Sequence, residues 1–136
     1  MKIIKNKVLP FGNYATINIF GILFTKRKHL SDISINHETI HSYQIRETGF
    51  VGIVLVIILN LLFNISFWWL FVGVSVFYIQ YGFEYIIIRL FHKKQNDAYH
   101  DVSFEEEAHN NDENLEYIKT RKHFAWIKYI KLKSNH

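Results

Sequence analysis

The chain has 136 residues, 16 Lys plus Arg, 12 Asp plus Glu and eight His, for a formal net charge of +4. That length fits one domain, and the absence of cysteine excludes disulfides, a cysteine nucleophile and thiolate-ligated metals. One proline, six glycines and 17% aromatic residues exclude collagen-like, linker-like and disordered classes.

Residues 1–30 form an N-terminal strand region. Within it, residues 14–25 are rich in β-branched and aromatic side chains with Gly21 midway, which predicts a strand pair or one bent strand. A short amphipathic helix on a membrane surface is the competing reading. The apolar run Ile17 to Phe24 is broken by Asn18 and Gly21 and lacks a small-residue cleavage site, so it does not read as a signal peptide. Ser31-Asp32-Ile33-Ser34 is a helix start, and a helix is expected over 31–63, through His37 and His41 into a first membrane span. Gly49 and Gly52 permit a bend in it.

Residues 48–83 contain no Asp, Glu, Lys or Arg. As one helix they would reach roughly 54 Å, against a hydrocarbon core about 30 Å thick. Two transmembrane helices joined at Asn64-Ile65-Ser66 fit better, the second over 67–91 and opened by the aromatic belt Phe67-Trp68-Trp69. A buried helical pair in a soluble core competes, but the remaining chain is short for covering two fully apolar helices. Basic residues lie on both sides of the hairpin and are missing from its turn. The positive-inside rule then places both termini in the cytoplasm, at a bacterial inner membrane.

Residues 92–103 are polar and read as loop. A further helix starts at Ser103, with Ser103 and Glu106 in capping-box spacing. The tail from Leu115 mixes apolar residues with lysines. It reads either as a basic amphipathic helix on the anionic inner leaflet or as an ordinary docked helix. Residues 103–136 thus form the last of four segments in a single mainly α-helical membrane-embedded domain.

The chemistry centres on His37-Glu38-Thr39-Ile40-His41, an H-E-x-x-H motif. On a helix, residues four apart share a face, so both imidazoles can reach one Zn²⁺, and Glu38 can take a proton from water activated there. A catalytic zinc keeps three protein ligands. Without cysteine, the third comes from Glu84, His92, His100, Asp101, Glu105, Glu106, Glu107 or His109. The densest group is Glu105-Glu106-Glu107-Ala108, an E-x-x-A pattern in which the small Ala108 lets this helix pack close to the His helix. His109 shares the Glu105 face, as a ligand, a partner of a ligand, or a stabiliser of an oxyanion. Gln44 lies on the metal face and can hold a ligand or a substrate carbonyl; Tyr43 is offset and packs. Glu84 is a carboxylate inside an apolar helix and needs a partner. Counting outward from the turn puts Arg46 opposite it, giving a structural Arg46–Glu84 pair, with a role at the metal as the lesser reading. Arg89 reads as a snorkelling anchor, or as a binder of a substrate carboxylate or lipid phosphate.

Asn36-His37-Glu38-Thr39-Ile40-His41-Ser42-Tyr43-Gln44 resembles the N-H-E-x-I-H-x-x-Q stretch of a family of small membrane proteins from Bacteroidetes-type bacteria. Ala98 to Ala108 resembles the A-Y-x-x-I-S-F-E-x-E-A pattern of the same family, and the likeness ends at Tyr117 to Lys122 and Phe124-Ala125-Trp126. More distantly, H-E-x-x-H followed by E-x-x-A is similar to gluzincins, including membrane-bound zinc peptidases. That resemblance implies Glu105 as third zinc ligand. Gluzincins carry Asp after the Ala, where this chain has His109.

The expected protein is therefore a membrane-bound zinc metallopeptidase. His37, His41 and Glu105 bind the metal, Glu38 acts as base, and the strand region holds an extended substrate by edge pairing. Its partners are membrane lipids and a peptide or membrane-protein substrate, with no nucleic acid. Two rivals remain: a zinc amidase or hydrolase of lipid-linked carbonyls, and a non-enzymatic membrane adaptor with a basic tail.

Overall fold

The computed structural model describes residues 1–10, 15–91 and 95–130. Residue 14 of the expected strand segment, the ligand candidate His92, residues 93–94 and the tail beyond 130 lie outside the described residues. The fold is mainly helical with one small sheet.

Strands β2 (Thr16–Ile19) and β3 (Ile22–Thr25) pair antiparallel. Phe20 and Gly21 join them at φ 49° and 81°, the two left-handed positions that a two-residue hairpin turn requires. The strand-pair reading therefore holds over the single bent strand and the surface helix. Strand β1 (Lys2–Lys5), for which no local pattern calls, pairs parallel with β3 to give the order β1-β3-β2. Leu23 and Thr25, two apart on β3, are fully buried, as strand alternation dictates.

Helix α1 (Asp32–Phe63) starts where Ser31 Oγ accepts the Ser34 amide at 3.1 Å, an N-cap of the expected kind. It ends at Asn64 with φ 50°, a left-handed cap that asparagine tolerates. Between these ends it runs unbroken, so Gly49 and Gly52 interrupt nothing. Its N-terminal half buries polar residues, among them Asn36, His41, Gln44 and Glu47. Its C-terminal half leaves Phe50, Leu55, Leu61, Leu62 and Phe63 exposed.

The expected second span is two helices, α2 (Trp69–Val74) and α3 (Val76–Phe91), separated at Ser75. Among the described residues α1 alone is long and apolar enough to cross a membrane by length and composition. Gly52 and Gly73 carry the α1–α2 contact. A Cβ on Gly52 would stand 2.1 Å from the Gly73 carbonyl oxygen, so the backbones meet where no side chain fits.

A short helix α4 (Gln95–His100) occupies part of the expected loop, and α5 spans Ser103–Asn111. Ser103 does not cap α5 in a capping box. Glu84 of α3 does that work, accepting from the Ser103 amide and hydroxyl, both at 2.9 Å. This overturns the expected Arg46–Glu84 pair: Glu84 also bonds Gln80 at 3.0 Å, and the Arg46 guanidinium stands 5.8 Å from the Tyr43 ring centre. The counting that matched 84 with 46 assumed one straight second helix, and the break at Ser75 removes that register.

The long tail helix is also replaced. Residues Tyr117–Thr120 form α6 and Ala125–Tyr129 a 3-10 helix. Trp126 is buried, its ring 4.8 Å from that of Phe104. Together with Ile45, Phe77 and Val102 these form the core that clamps α5 and the tail onto α1.

Candidate metal centre

H-E-x-x-H places His37 and His41 one turn apart on α1, and α5 packs across that face. Ala108 is fully buried there, and Glu105, three residues earlier, faces the two imidazoles. His37 Nε2 and His41 Nε2 are 3.1 Å apart. Glu105 Oε2 lies 3.4 Å from His37 Nε2, and Oε1 lies 3.4 Å from His41 Nε2. Zinc bonds of about 2.0–2.1 Å in a tetrahedron put ligand atoms about 3.3–3.4 Å apart. The three atoms already stand at that spacing, and they form one of the two groups of potential ligands among the described residues.

Each imidazole has a polar partner behind it at Nδ1. His37 Nδ1 faces Asp112 Oδ2 at 3.2 Å. A carboxylate accepts only, so Asp112 receives the Nδ1 proton in the tautomer that frees Nε2. His41 Nδ1 faces Gln44 Oε1 at 2.8 Å. The Gln44 amide is oriented by its other end, where Nε2 donates to the Phe104 carbonyl at 3.0 Å. His41 therefore donates from Nδ1, and the Nε2 atoms of both imidazoles point at each other and at Glu105. Glu105 Oε2 is buried and without a hydrogen-bond partner among the described residues. Two imidazole nitrogens and a carboxylate converging at this distance could hold a cation. The donor set of two imidazoles and one carboxylate suits zinc.

The remaining Glu105 oxygen, Oε1, accepts from the Tyr81 hydroxyl at 3.0 Å. Burial alone would raise the Glu105 carboxyl. The His41 charge, with hydrogen bonds from His37 and His41, outweighs it and holds the group well below the usual carboxylate range. Burial and the Glu105 charge push the Tyr99 hydroxyl up.

Glu38 points into a cleft of about 300 Å³ that it shares with His37, His41, Glu105, Tyr81 and Tyr99. The hairpin forms one wall. Asn18 Nδ2 on β2 donates to the Glu38 carbonyl at 2.8 Å and to Ser42 Oγ at 3.0 Å, which pins the strand to α1. An edge strand, β2 lines the cleft with Thr16, Ile17 and Asn18, and the Tyr78 hydroxyl donates to its Asn18 carbonyl at 3.3 Å. Phe77, Tyr78 and Gly82 of α3 form the opposite wall.

His109 stands at the mouth, with a side chain 42% exposed, 3.8 Å from Glu105 Oε2 and 3.6 Å from Asp112 Oδ2. Burial and the neighbouring His37 hold its imidazole below the ordinary value. His100 packs on it at 4.7 Å between ring centres. Of the other ligand candidates, Glu84 caps α5. Glu107 is turned away from the cleft toward Arg121, and neither Glu106 nor Asp101 lines the cleft. Arg89 lies in the last turn of α3, away from the cleft lining.

Four residues of the site went unread in the sequence. Asp112 reaches His37 because Asn36 Nδ2 bonds the carbonyls of Asn111, Asp112 and Asn114; the Asn preceding H-E-x-x-H was the available signal. Tyr81 falls inside an apolar run, and Asn18 looked like an interruption of a strand. Arg121 hid among basic residues of the tail. No family model matches the chain, and neither a curated protein nor a solved structure matches it.

Proposed function

We propose that this protein is a membrane-bound zinc metallopeptidase of a bacterial inner membrane, with His37, His41 and Glu105 as metal ligands and Glu38 as general base. The observation that supports the reading is the convergence of two imidazole Nε2 atoms and a carboxylate, 3.1–3.4 Å apart. Zinc held there would supply a Lewis acid and lower the pKa of a coordinated water to about 7. Glu38, beside the first ligand and open to the cleft, would take a proton from the attacking water and deliver it to the leaving amine. The outer edge of β2 at Thr16 binds the substrate as an added extended strand, which favours a peptide. His109 at the mouth donates to the carbonyl oxygen as charge develops.

The membrane placement rests on the apolar surface beyond the site. Phe50 to Phe63 on α1, with Phe67, Trp68, Phe71, Phe83 and Leu90, expose large side chains well beyond a soluble monomer's usual patches. We place the α1–α2–α3 hairpin in the bilayer, both termini in the cytoplasm, and the polar first half of α1 at the inner surface. The aromatic wall of the cleft, Phe77, Tyr78 and Tyr81, lies on α3, whose outer face is apolar. This favours a second reading, hydrolysis of a lipid-linked amide. The adaptor reading needs a free basic tail, and residues 117–130 are docked.

The test is Glu38→Gln in detergent-purified full-length protein. Bound zinc should stay stoichiometric while hydrolysis of peptide substrates falls about 10²–10⁴-fold. Retained hydrolysis would defeat the mechanism.

A further inference from the structure

Helix α3 forms one wall of the cleft, and that wall has a notch in it. Tyr78, Tyr81 and Gly82 all line the cleft. Residues 78 and 82 are four apart and share a helix face, and a helical side chain leans back over the turn before it. A side chain at 82 would therefore lie beside Tyr78, in the cleft. Gly82 has none, and a Cβ placed there meets no atom within 4 Å. The rings around this space are tied in place. The Tyr78 hydroxyl accepts from the Phe20 amide at 2.7 Å and donates to the Asn18 carbonyl at 3.3 Å. The Tyr81 hydroxyl donates to Glu105 Oε1 at 3.0 Å. Phe77 is buried, its ring centre 4.5 Å from that of Phe104. The notch is therefore formed before any substrate arrives.

Charge decides what fits it. No Lys or Arg lines the cleft, and its two carboxylates, Glu38 and Glu105, disfavour an anion. A second cavity of about 310 Å³ shares Thr16, His37, Glu38 and Tyr99 with the cleft, and beyond them it is lined by Arg27, His100, His109 and Asp112. Polar and charged parts of a substrate find partners there, on the far side of His37 and Glu38. The α3 side offers aromatic faces and an empty space.

We propose that Gly82 determines specificity: the notch takes a large apolar side chain, of the size of leucine or phenylalanine, next to the scissile carbonyl. This deepens the zinc metallopeptidase reading and rests on it. Because the rings are already held, seating the side chain gains burial at little cost in ordering the wall. Any residue larger than glycine at 82 fills the space that the substrate would use.

The probes are the hydroxamates of N-acetylglycine and N-acetylleucine, which chelate zinc through the same group and differ only in the side chain. Their binding to zinc-loaded full-length protein in detergent is measured by calorimetry, with zinc content checked alongside. The leucine probe should bind the wild type about 10–100-fold more tightly than the glycine probe. In Gly82→Leu that ratio should fall to within about threefold, with zinc content and the affinity for the glycine probe unchanged. The kcat/KM preference for peptides with leucine over glycine at the scissile bond should collapse in parallel. A preference kept in Gly82→Leu, or absent from a wild type that holds zinc and binds the glycine probe, would overturn the specificity proposal and leave the zinc reading standing. A wild type that holds no zinc and binds neither probe would sink the zinc reading, and this proposal with it. If Gly82→Leu does not fold, Gly82→Ala should already cut the ratio about threefold, and an unchanged ratio there would overturn the proposal equally.

Discussion

Zinc binding should show itself as stability, and the size of the effect follows from the geometry. Two imidazole Nε2 atoms and a buried carboxylate stand 3.1–3.4 Å apart. On the zinc reading the ion binds this folded arrangement and not the unfolded chain. At a free concentration about a hundred times the dissociation constant, it stabilises the fold by about 2.7 kcal/mol. With 136 residues and about 2.1 cal/mol/K of unfolding entropy per residue, the melting temperature rises by about 9 °C. The assay is thermal unfolding of the stripped full-length protein in detergent, each variant compared with its own metal-free state. His37→Ala and Glu105→Ala each remove one of three ligands. A loss of a hundredfold or more in affinity leaves about 0.4 kcal/mol, a rise of only about 1–2 °C. Glu38→Gln and Glu106→Ala keep all three ligands and should keep the full rise. A rise of equal size in wild type and His37→Ala would refute the reasoning, as would loss of the rise in Glu106→Ala but not in Glu105→Ala.

Two glycines give opposite expectations. Gly52→Ala puts a Cβ 2.1 Å from the Gly73 carbonyl oxygen and should destabilise by about 1–3 kcal/mol or more in denaturant titration. Gly82→Ala meets no atom within 4 Å and should be neutral or gain up to about 1 kcal/mol from helix propensity. Reporter fusions at residue 1 and residue 136 should both read cytoplasmic in a bacterial host; opposite readings would mean the chain crosses the bilayer an odd number of times.

The sequence determined more of the chemistry than of the architecture. Two histidines four apart on a capped helix share a face by helical periodicity alone, so two of the three proposed ligands were legible in five residues. Ser31 and Asn64 bounded α1 because caps are local, and Gly21 marked the hairpin turn for the same reason. The E-x-x-A spacing pointed to α5, since a small residue beside a carboxylate is a local device for close packing.

What the tertiary structure decided concerned partners far apart in the chain. Strand β1 pairs parallel with β3 by a long return that no local pattern announces. The break at Ser75 re-aimed α3, so Glu84 found the amide end of α5 and not Arg46. Arg121, one basic residue in a run of them, is buried between Glu47 and Glu107, while its neighbour His123 is 87% exposed. A charge in sequence carries no sign of whether it will be solvated or enclosed. That depends on which carboxylates the fold leaves short of a counter-ion, and only the packed chain settles it.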